Sequence, residues 1–130
     1  MALASIRPKV LVVDDHPDIL ILIMDILQRV GFETTAAKTG DEGIRLAQNH
    51  EFDLITMDID LPDMTGFDVC AQLKQDFRLH RTPIIFVSGR PSEEDRRRGF
   101  EAGAADFIVK PFDTFVFVSR ILSHVKPTKN

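Results

Sequence analysis

Short apolar stretches alternate along the chain with longer segments whose apolar side chains recur every three to four residues. The first pattern is typical of buried β-strands, and the second is typical of helices that pack on a sheet. Five strands are predicted, over Lys9–Val13, Glu33–Ala37, Leu54–Met57, Pro83–Val87 and Phe107–Val109. Five helices are predicted, over about Asp18–Val30, Thr39–Asn49, Phe67–Gln75, Ser92–Gly103 and Thr114–Val125.

Helix-start signals support this division of the chain. Thr39 and Glu42 have the spacing of a capping box, and Ser92 and Asp113 stand where N-cap residues are expected. The last helix conflicts with local propensity, because Phe115–Val118 is strand-like. Parallel strands need helical crossovers, so the alternation predicts one doubly wound α/β domain, with a five-stranded parallel sheet and helices on both faces.

Polar side chains stand where the predicted strands end. Asp14 and Asp15 follow the first strand, Asp58 follows the third, and Ser88 and Lys110 follow the fourth and fifth. The carboxyl ends of parallel strands meet at one edge of the sheet, where ligands bind in open α/β folds. Neighbouring carboxylates repel unless a cation or proton shares the site, and oxygen ligands suit Mg²⁺. The group predicts a magnesium site, although either acid alone also fits a helix cap or a turn.

Composition narrows the class of protein. The 130 residues carry a net charge of −4 with a pI near 5.5, which argues against direct binding of nucleic acid. Cys70 is the single cysteine, so neither a disulfide nor a thiolate metal site is expected, and we predict a reducing, cytoplasmic location. The longest apolar run, Ile19–Met24, is too short for insertion into a membrane.

Four segments carry a resemblance to a known family: Val12–Asp15, Met57–Gly66, Phe86–Gly89 and Asp106–Phe112. In order and spacing they resemble the receiver domain of two-component response regulators, over essentially the whole chain. The resemblance implies a flavodoxin-like sheet of order 2-1-3-4-5 with five helices, in a phosphoacceptor that is not an enzyme acting on other molecules. The predicted domain spans residues 9–126, after a short leader (1–8) and before a polar tail (127–130).

The resemblance also implies roles for the acids. Asp58 would accept the phosphoryl group from a phosphohistidine on a sensor histidine kinase or a histidine phosphotransfer protein. Mg²⁺ would be bound directly by Asp15 and Asp58, with Asp14 contributing through water and Asp60 through its backbone carbonyl. His16, His50, His80 and His124 are all expected at the surface, and His16, directly after the acidic pair, could modulate metal affinity.

Ser88 and Lys110 would hold the phosphoryl group. Ser88 and Phe107 would form the conformational switch, with Phe107 standing where the family more often has tyrosine. Asp60 and Arg90 occupy positions that modulate phosphate lifetime in the family. Because their charges are opposite, we expect them to pair over the pocket.

The first helix is one candidate partner surface. Its predicted core positions at helical spacing are Ile19, Leu22, Ile23, Ile26, Leu27 and Val30. This assignment leaves further apolar residues outside the core, namely Leu20, Ile21 and Met24. They indicate either a helix more buried than average or a docking patch for a kinase, a phosphotransfer protein or a second copy.

The second candidate surface runs from the fourth helix through the fifth strand to the fifth helix. The resemblance implies that receivers use this face for output, toward a downstream protein or a homodimer, and Arg97 and Phe100 lie on it. Predicted i,i+4 ion pairs join Glu93 to Arg97 and Glu94 to Arg98. Such pairing is more typical of a solvated helix face than of a nucleic-acid patch.

Three other interpretations compete with a phosphoacceptor. Asp58 and Asp60 match the Asp-x-Asp motif of haloacid-dehalogenase-type phosphatases, but Asp14 and Asp15 would then have no role. A flavodoxin-like redox protein needs a phosphate-binding loop after the first strand, where this chain has acids instead. A docking-only pseudo-receiver would lack part of the pocket, and no expected pocket residue is missing from the sequence.

Overall fold

In the computed structural model, which describes residues 7–89 and 91–126, strands and helices alternate along the chain. The strands are β1 (Lys9–Val13), β2 (Glu33–Ala37), β3 (Leu54–Met57), β4 (Ile84–Gly89) and β5 (Asp106–Lys110). The helices are α1 (Pro17–Val30), α2 (Gly40–Asn49), α3 (Gly66–Lys74), α4 (Glu93–Glu101) and α5 (Thr114–Leu122). All strand pairs are parallel, in the order β2-β1-β3-β4-β5, which confirms the predicted flavodoxin-like fold.

Both faces of the sheet are covered, so alternate residues of each strand enter two separate cores. One core lies between the sheet and the helices α2, α3 and α4, and its strand residues include Leu11, Val13, Ile55, Met57 and Phe86. The other lies against α1 and α5, and its strand residues include Val10, Val12, Leu54, Ile85 and Val87. Burial on both faces explains why β1, β3 and β4 are largely apolar runs, whereas β2, at the edge of the sheet, is more polar.

The fourth strand is longer at its carboxyl end than predicted. β4 continues through Ser88 and Gly89, which lie in register with Val109 and Lys110 of β5. Ser88 is therefore part of the sheet and is not a loop residue. This placement fixes its backbone relative to the end of β5.

Helix α5 forms although Phe115–Val118 locally favours a strand. The Asp113 carboxylate caps it by accepting hydrogen bonds from two backbone N–H groups of the first turn, and Phe117 is fully buried. Burial therefore overrides local propensity. The helix ends at Leu122, three residues before the predicted end, and the short 3-10 helix Phe77–Leu79 is not among the predicted elements.

Helix α1 buries a different stripe from the predicted one. Leu20 is buried and Leu22 is 45% exposed, so the prediction was wrong for both residues. Ile21 is exposed as predicted, and Met24 is half-buried. The buried stripe consists of Leu20, Ile23, Ile26 and Leu27. Because the helix is apolar on nearly every side from Ile19 to Met24, periodicity alone does not fix its rotation about its axis.

The ion pairs of α4 also differ from the predicted ones. Arg97 pairs with Glu94, not with Glu93, because i,i+3 and i,i+4 partners are both within reach on a helix. Arg98 instead lies over the ring of Phe67 on α3, with its guanidinium carbon 4.5 Å from the ring centroid. An aromatic face attracts a guanidinium, so part of the arginine run packs against the protein.

The predicted leader and tail fall mostly on residues 1–6 and 127–130, which lie outside the described residues. Pro8 is buried, and its carbonyl accepts a hydrogen bond from the N–H of Glu33 at 2.9 Å. Within the ranges 7–89 and 91–126, none of the helices has the length and apolar character needed to cross a membrane.

Candidate functional site

The predicted site residues meet at the carboxyl edge of the sheet. Asp14 follows β1, Asp58 follows β3, Ser88 lies near the end of β4, and Lys110 ends β5. The backbone N–H of Asp58 donates to the carbonyl of Val13 at 3.0 Å, which ties the end of β3 to the end of β1. Asp14, Asp58 and Ser88 are each at most 4% exposed. The fold therefore buries two carboxylates and a hydroxyl almost completely from solvent.

The turn after β3 packs against the backbone of Asp58. Gly66 packs so closely on the Asp58 carbonyl oxygen that a Cβ at this position would overlap it; only glycine fits such an approach. The N–H of Gly66 donates to the carbonyl of Ile59 at 2.7 Å. Farther along the turn, the Asp63 carboxylate accepts hydrogen bonds from two N–H groups at the start of α2, at 2.8 and 2.9 Å. These contacts fix the backbone on which Asp58 is carried.

The pocket contains three acids and two nitrogen groups. Ligand atoms of Asp14, Asp15, His16 and Asp58 all lie within 4.8 Å of one another. The Lys110 ammonium is 2.8 Å from Asp14 Oδ2 and 3.7 Å from Asp58 Oδ2. His16, although its side chain is 62% exposed, places Nδ1 3.2 Å from Asp14 Oδ1. Lys110 therefore neutralises only part of the acidic charge.

Burial raises the pKa of Asp58 to about 6. The Lys110 ammonium lowers this pKa and the neighbouring Asp14 charge raises it, but loss of water is the larger cause. Ionisation of Asp58 therefore destabilises the folded protein. A bound cation, or transfer of a phosphoryl group to Asp58, would offset this cost in free energy.

The donor set fits Mg²⁺. Its carboxylate oxygens are the hard ligands that this ion prefers. Asp15 Oδ1 is buried and has no hydrogen-bond partner, as expected of an oxygen directed at a cation. Asp60 lines the same cleft, together with Asp58, Ser88 and Lys110. The residues at hand are therefore suited to hold the ion that the sequence predicts.

The peptide bond between Lys110 and Pro111 is cis, and the Lys110 side chain is 14% exposed. The lysine thus lies inside the cleft and not on the surface. Its hydrogen bond to Asp14 spans the sheet from β5 to β1.

The Phe107 side chain is buried between β4 and α4. Its ring stacks on Phe86 with 5.2 Å between centroids and contacts Phe100 at 5.7 Å. The Arg96 guanidinium lies 5.8 Å from the ring centroid. The aromatic residue predicted for the switch is therefore only 4% exposed and sits against α4.

Gly99 makes room for this ring and was missed as a site residue. A Cβ on Gly99 would overlap the Phe107 ring, so the close approach of α4 to β5 depends on the missing side chain. The signal was available, because a glycine in a helix interior costs about 1 kcal/mol relative to alanine and so indicates a packing reason.

Other predicted residues stand apart from the pocket. Arg90 lies outside the described residues, so its pairing with Asp60 stays a prediction. Arg97 and Phe100 are exposed on α4, as expected of a partner surface. His124 is half-buried with Nε2 3.2 Å from Asp106 Oδ2, unlike the surface position expected for it. The face that carries Arg97 and Phe100 on α4 extends along β5 and α5 through further exposed apolar residues, namely Val109, Phe115 and Val116.

Comparison with known proteins identifies the family to which this chain belongs. A family model described as the response regulator receiver domain matches residues 10–122. The chain is a receiver domain of the response regulator family. This confirms the predicted place in two-component signalling, and neither the phosphatase, the redox protein nor the docking-only interpretation is supported.

Curated relatives agree with this assignment. The DNA-binding dual master transcriptional regulator RpaA of Synechocystis sp. is 33% identical over 121 residues, which are 93% of this receiver and 50% of that protein. The phosphate regulon transcriptional regulatory protein PhoB of Rhizobium meliloti is 34% identical over 122 residues, 94% of this receiver and 54% of that protein. The chain spans about half the length of these relatives.

Solved structures show the same fold. Chemotaxis protein CheY4 of Vibrio cholerae superposes with a TM-score of 0.88 at 31% identity, covering 92% of this receiver and all of that chain. The receiver domain of a sensor histidine kinase from Pseudomonas aeruginosa gives a TM-score of 0.85 at 25% identity, covering 92% and 98%. That structure is described with a magnesium ion coordinated in its active site cleft.

The raised pKa of Asp58 predicts a pH-dependent cost to folding. The folded protein holds this proton more tightly than the unfolded chain, so the cost is absent below about pH 4, grows between pH 4 and 6, and is complete above pH 6. A pKa change of this size corresponds to about 3 kcal/mol. In metal-free buffer at pH 8, Asp58→Asn should therefore raise the free energy of unfolding by about 1–3 kcal/mol, and the gain should vanish near pH 4.

Urea unfolding followed by far-UV circular dichroism measures this, since the chain has no tryptophan or tyrosine. Glu51→Gln, which neutralises an exposed acid just before β3, is the matched control and should leave stability nearly unchanged. A gain for Asp58→Asn that is equal at pH 4 and pH 8 would contradict the assignment of the buried charge.

The packing of Phe107 on Gly99 predicts that Gly99→Ala destabilises the wild-type protein but stabilises a variant that lacks the Phe107 ring. Gly99→Ala should lower the free energy of unfolding by about 1–3 kcal/mol, the usual cost of overpacking. In a Phe107→Ala background the overlap with the Phe107 ring is gone and only a tight contact with Phe86 is left, so Gly99→Ala should stabilise the protein by up to about 1 kcal/mol through helix propensity. Chemical denaturation of the four proteins gives the coupling energy; equal effects of Gly99→Ala in both backgrounds would refute the contact.

Proposed function

We propose that Asp58 accepts a phosphoryl group from a phosphohistidine of a sensor histidine kinase or a histidine phosphotransfer protein. The position of Asp58 carries this proposal. It is a buried carboxylate at the carboxyl edge of the sheet, with the Lys110 ammonium 3.7 Å from its Oδ2. Asp14 and Asp15 stand beside it, as a site for a phosphoryl group and a dication requires.

In this reaction an Asp58 carboxylate oxygen attacks phosphorus in line with the P–N bond of the donor. The new O–P bond forms as the P–N bond breaks, and the bonding electrons leave with the donor imidazole. Asp58 must be ionised to attack. With a pKa of about 6 it is ionised at neutral pH and less well solvated than a surface acid.

Asp15 and Asp58 hold Mg²⁺ directly in this proposal, with Asp14 contributing through water and Asp60 through its backbone carbonyl. When bound, the ion neutralises charge on the transferring phosphoryl group. Lys110 binds the phosphoryl oxygens as a point charge. Because Lys110 also donates to Asp14 at 2.8 Å, its ammonium must then be shared between that acid and the phosphoryl group.

The acyl phosphate formed carries roughly two negative charges. Ser88 moves toward it, and Phe107, whose ring packs on Phe86 and Phe100, relays the change to the face formed by α4, β5 and α5. Exposed Arg97 and Phe100 on that face support contact with a downstream protein or a second copy. Exposed Ile21 on α1 supports a second surface, for the phosphohistidine donor.

We further propose that residues 9–126 form the receiver unit, in the cytoplasm, and that they catalyse no reaction on other molecules beyond their own phosphorylation and dephosphorylation. The lone, buried Cys70 thiol suits a reducing compartment. The acidic charge argues against nucleic-acid contact by these residues. Asp60 and Arg90 are proposed to modulate the lifetime of the phosphate.

Intact-mass measurement after incubation with acetyl phosphate tests this function. We expect one phosphoryl adduct on the wild type in the presence of Mg²⁺, and none when the ion is chelated or when Asp58→Asn is used. Asp53→Asn, at the opposite end of β3, is the matched control and should be phosphorylated like the wild type. An adduct of equal yield on Asp58→Asn would refute Asp58 as the acceptor.

A further inference from the structure

The His16 side chain is exposed, yet its ring lies close to the carboxylates of Asp14, Asp15 and Asp58. Its Nδ1 is 3.2 Å from an oxygen of Asp14, 3.2 Å from an oxygen of Asp15 and 3.7 Å from Asp58 Oδ2. The backbone N–H of His16 donates to Asp14 Oδ1 at 2.9 Å, which pins the residue beside the pocket. His16 is the N-cap position of α1, but its side chain makes no capping hydrogen bond. The imidazole thus points to the acids and not to the helix.

We propose that the His16 imidazole is a nitrogen ligand of the metal pocket, so that this receiver gains affinity for divalent ions that accept nitrogen, such as Co²⁺. The inference rests on the metal site of the proposed function and adds a residue to it. Imidazole suits the later first-row ions, whereas Mg²⁺ prefers oxygen and keeps its waters. His16 should therefore change which ion the pocket prefers more than it changes the affinity for Mg²⁺.

The distances between donor atoms support this. Two ligand atoms that each lie about 2.1 Å from one ion are about 3.0 Å apart at a right angle and about 3.4 Å apart at a tetrahedral angle. Of the acids proposed to bind the ion directly, Asp15 has an oxygen 3.2 Å from Nδ1, within this range, and Asp58 has one 3.7 Å away, slightly beyond it. The nitrogen is thus placed beside both of these acids, as a further donor around a shared position would be.

A hydrogen-bonding role for the ring explains the contacts less well. Through Nδ1 the ring hydrogen-bonds to Asp14 Oδ1 at 3.2 Å, but this leaves buried Asp15 Oδ1, also 3.2 Å from Nδ1, without a hydrogen bond. Asp14 already accepts hydrogen bonds from the His16 backbone and from Lys110. An ion shared by the acids and the ring would satisfy the free oxygen. The 62% exposure of the ring also lets it adjust without disturbing the core.

Calorimetric titration of the unphosphorylated protein at pH 8 with MgCl₂ and with CoCl₂ tests the proposal. In His16→Ala, the dissociation constant for Co²⁺ should rise about tenfold or more, while that for Mg²⁺ changes less than threefold, as expected when a nitrogen donor is lost. His80→Ala, which removes another exposed histidine, is the matched control for adventitious binding and should match the wild type.

X-ray absorption at the cobalt edge gives a second readout that a structural role would not move. Outer-shell scattering from an imidazole is expected in the wild type and should be absent from His16→Ala. An unchanged ratio of Co²⁺ to Mg²⁺ affinity in His16→Ala, or tighter binding of both ions, would overturn the role of His16 while leaving the acidic pocket intact. Failure of the wild type to bind either ion would instead overturn the metal site of the proposed function, and this inference with it.

Discussion

The burial of like charges at one edge of the sheet is the constraint on which the site depends. Asp14 and Asp58 are almost fully buried, and Asp15 stands beside them. One ammonium, Lys110, reaches both buried acids, at 2.8 and 3.7 Å. Repulsion and lost hydration are therefore only partly offset, and the pKa of Asp58 remains raised to about 6. Because negative charge is left uncompensated, the pocket favours the binding of a cation.

The rest of the fold keeps this unfavourable arrangement in place. Two apolar cores hold the strands from both faces, and Gly66 closes the turn directly on the Asp58 backbone. The acids stand at the ends of paired strands, and protonation of Asp58, a bound cation or chemistry at Asp58 would each relieve their repulsion. On the neighbouring strands, Ser88 and Phe107 are both buried, and the Phe107 ring packs on Phe100 of α4. We propose that a change of charge at Asp58 reaches α4 through this packing.

Sequence reasoning located the site because each of its residues stands at a strand end, which is fixed by the order of elements and not by side-chain detail. It failed on α1, where a nearly all-apolar surface leaves helix rotation undetermined, so Leu20 and Leu22 were exchanged. It also missed contacts that depend on three-dimensional approach. Phe107 and Gly99, which pack together, lie on different elements. The place of His16 after the acidic pair indicated a link to metal affinity, but its distances to the acids did not follow from the sequence. No periodicity encodes such distances.

The most direct test of the account is chemical identification of the phosphorylated residue. Borohydride reduces an aspartyl phosphate to homoserine, so peptide mass spectrometry of the phosphorylated and reduced protein marks the acceptor carboxylate. The account predicts homoserine at position 58 alone, and only when Mg²⁺ was present during phosphorylation. Homoserine at Asp14, Asp15 or Asp60 in place of Asp58 would contradict it, because the buried charge at Asp58 would then not be the nucleophile.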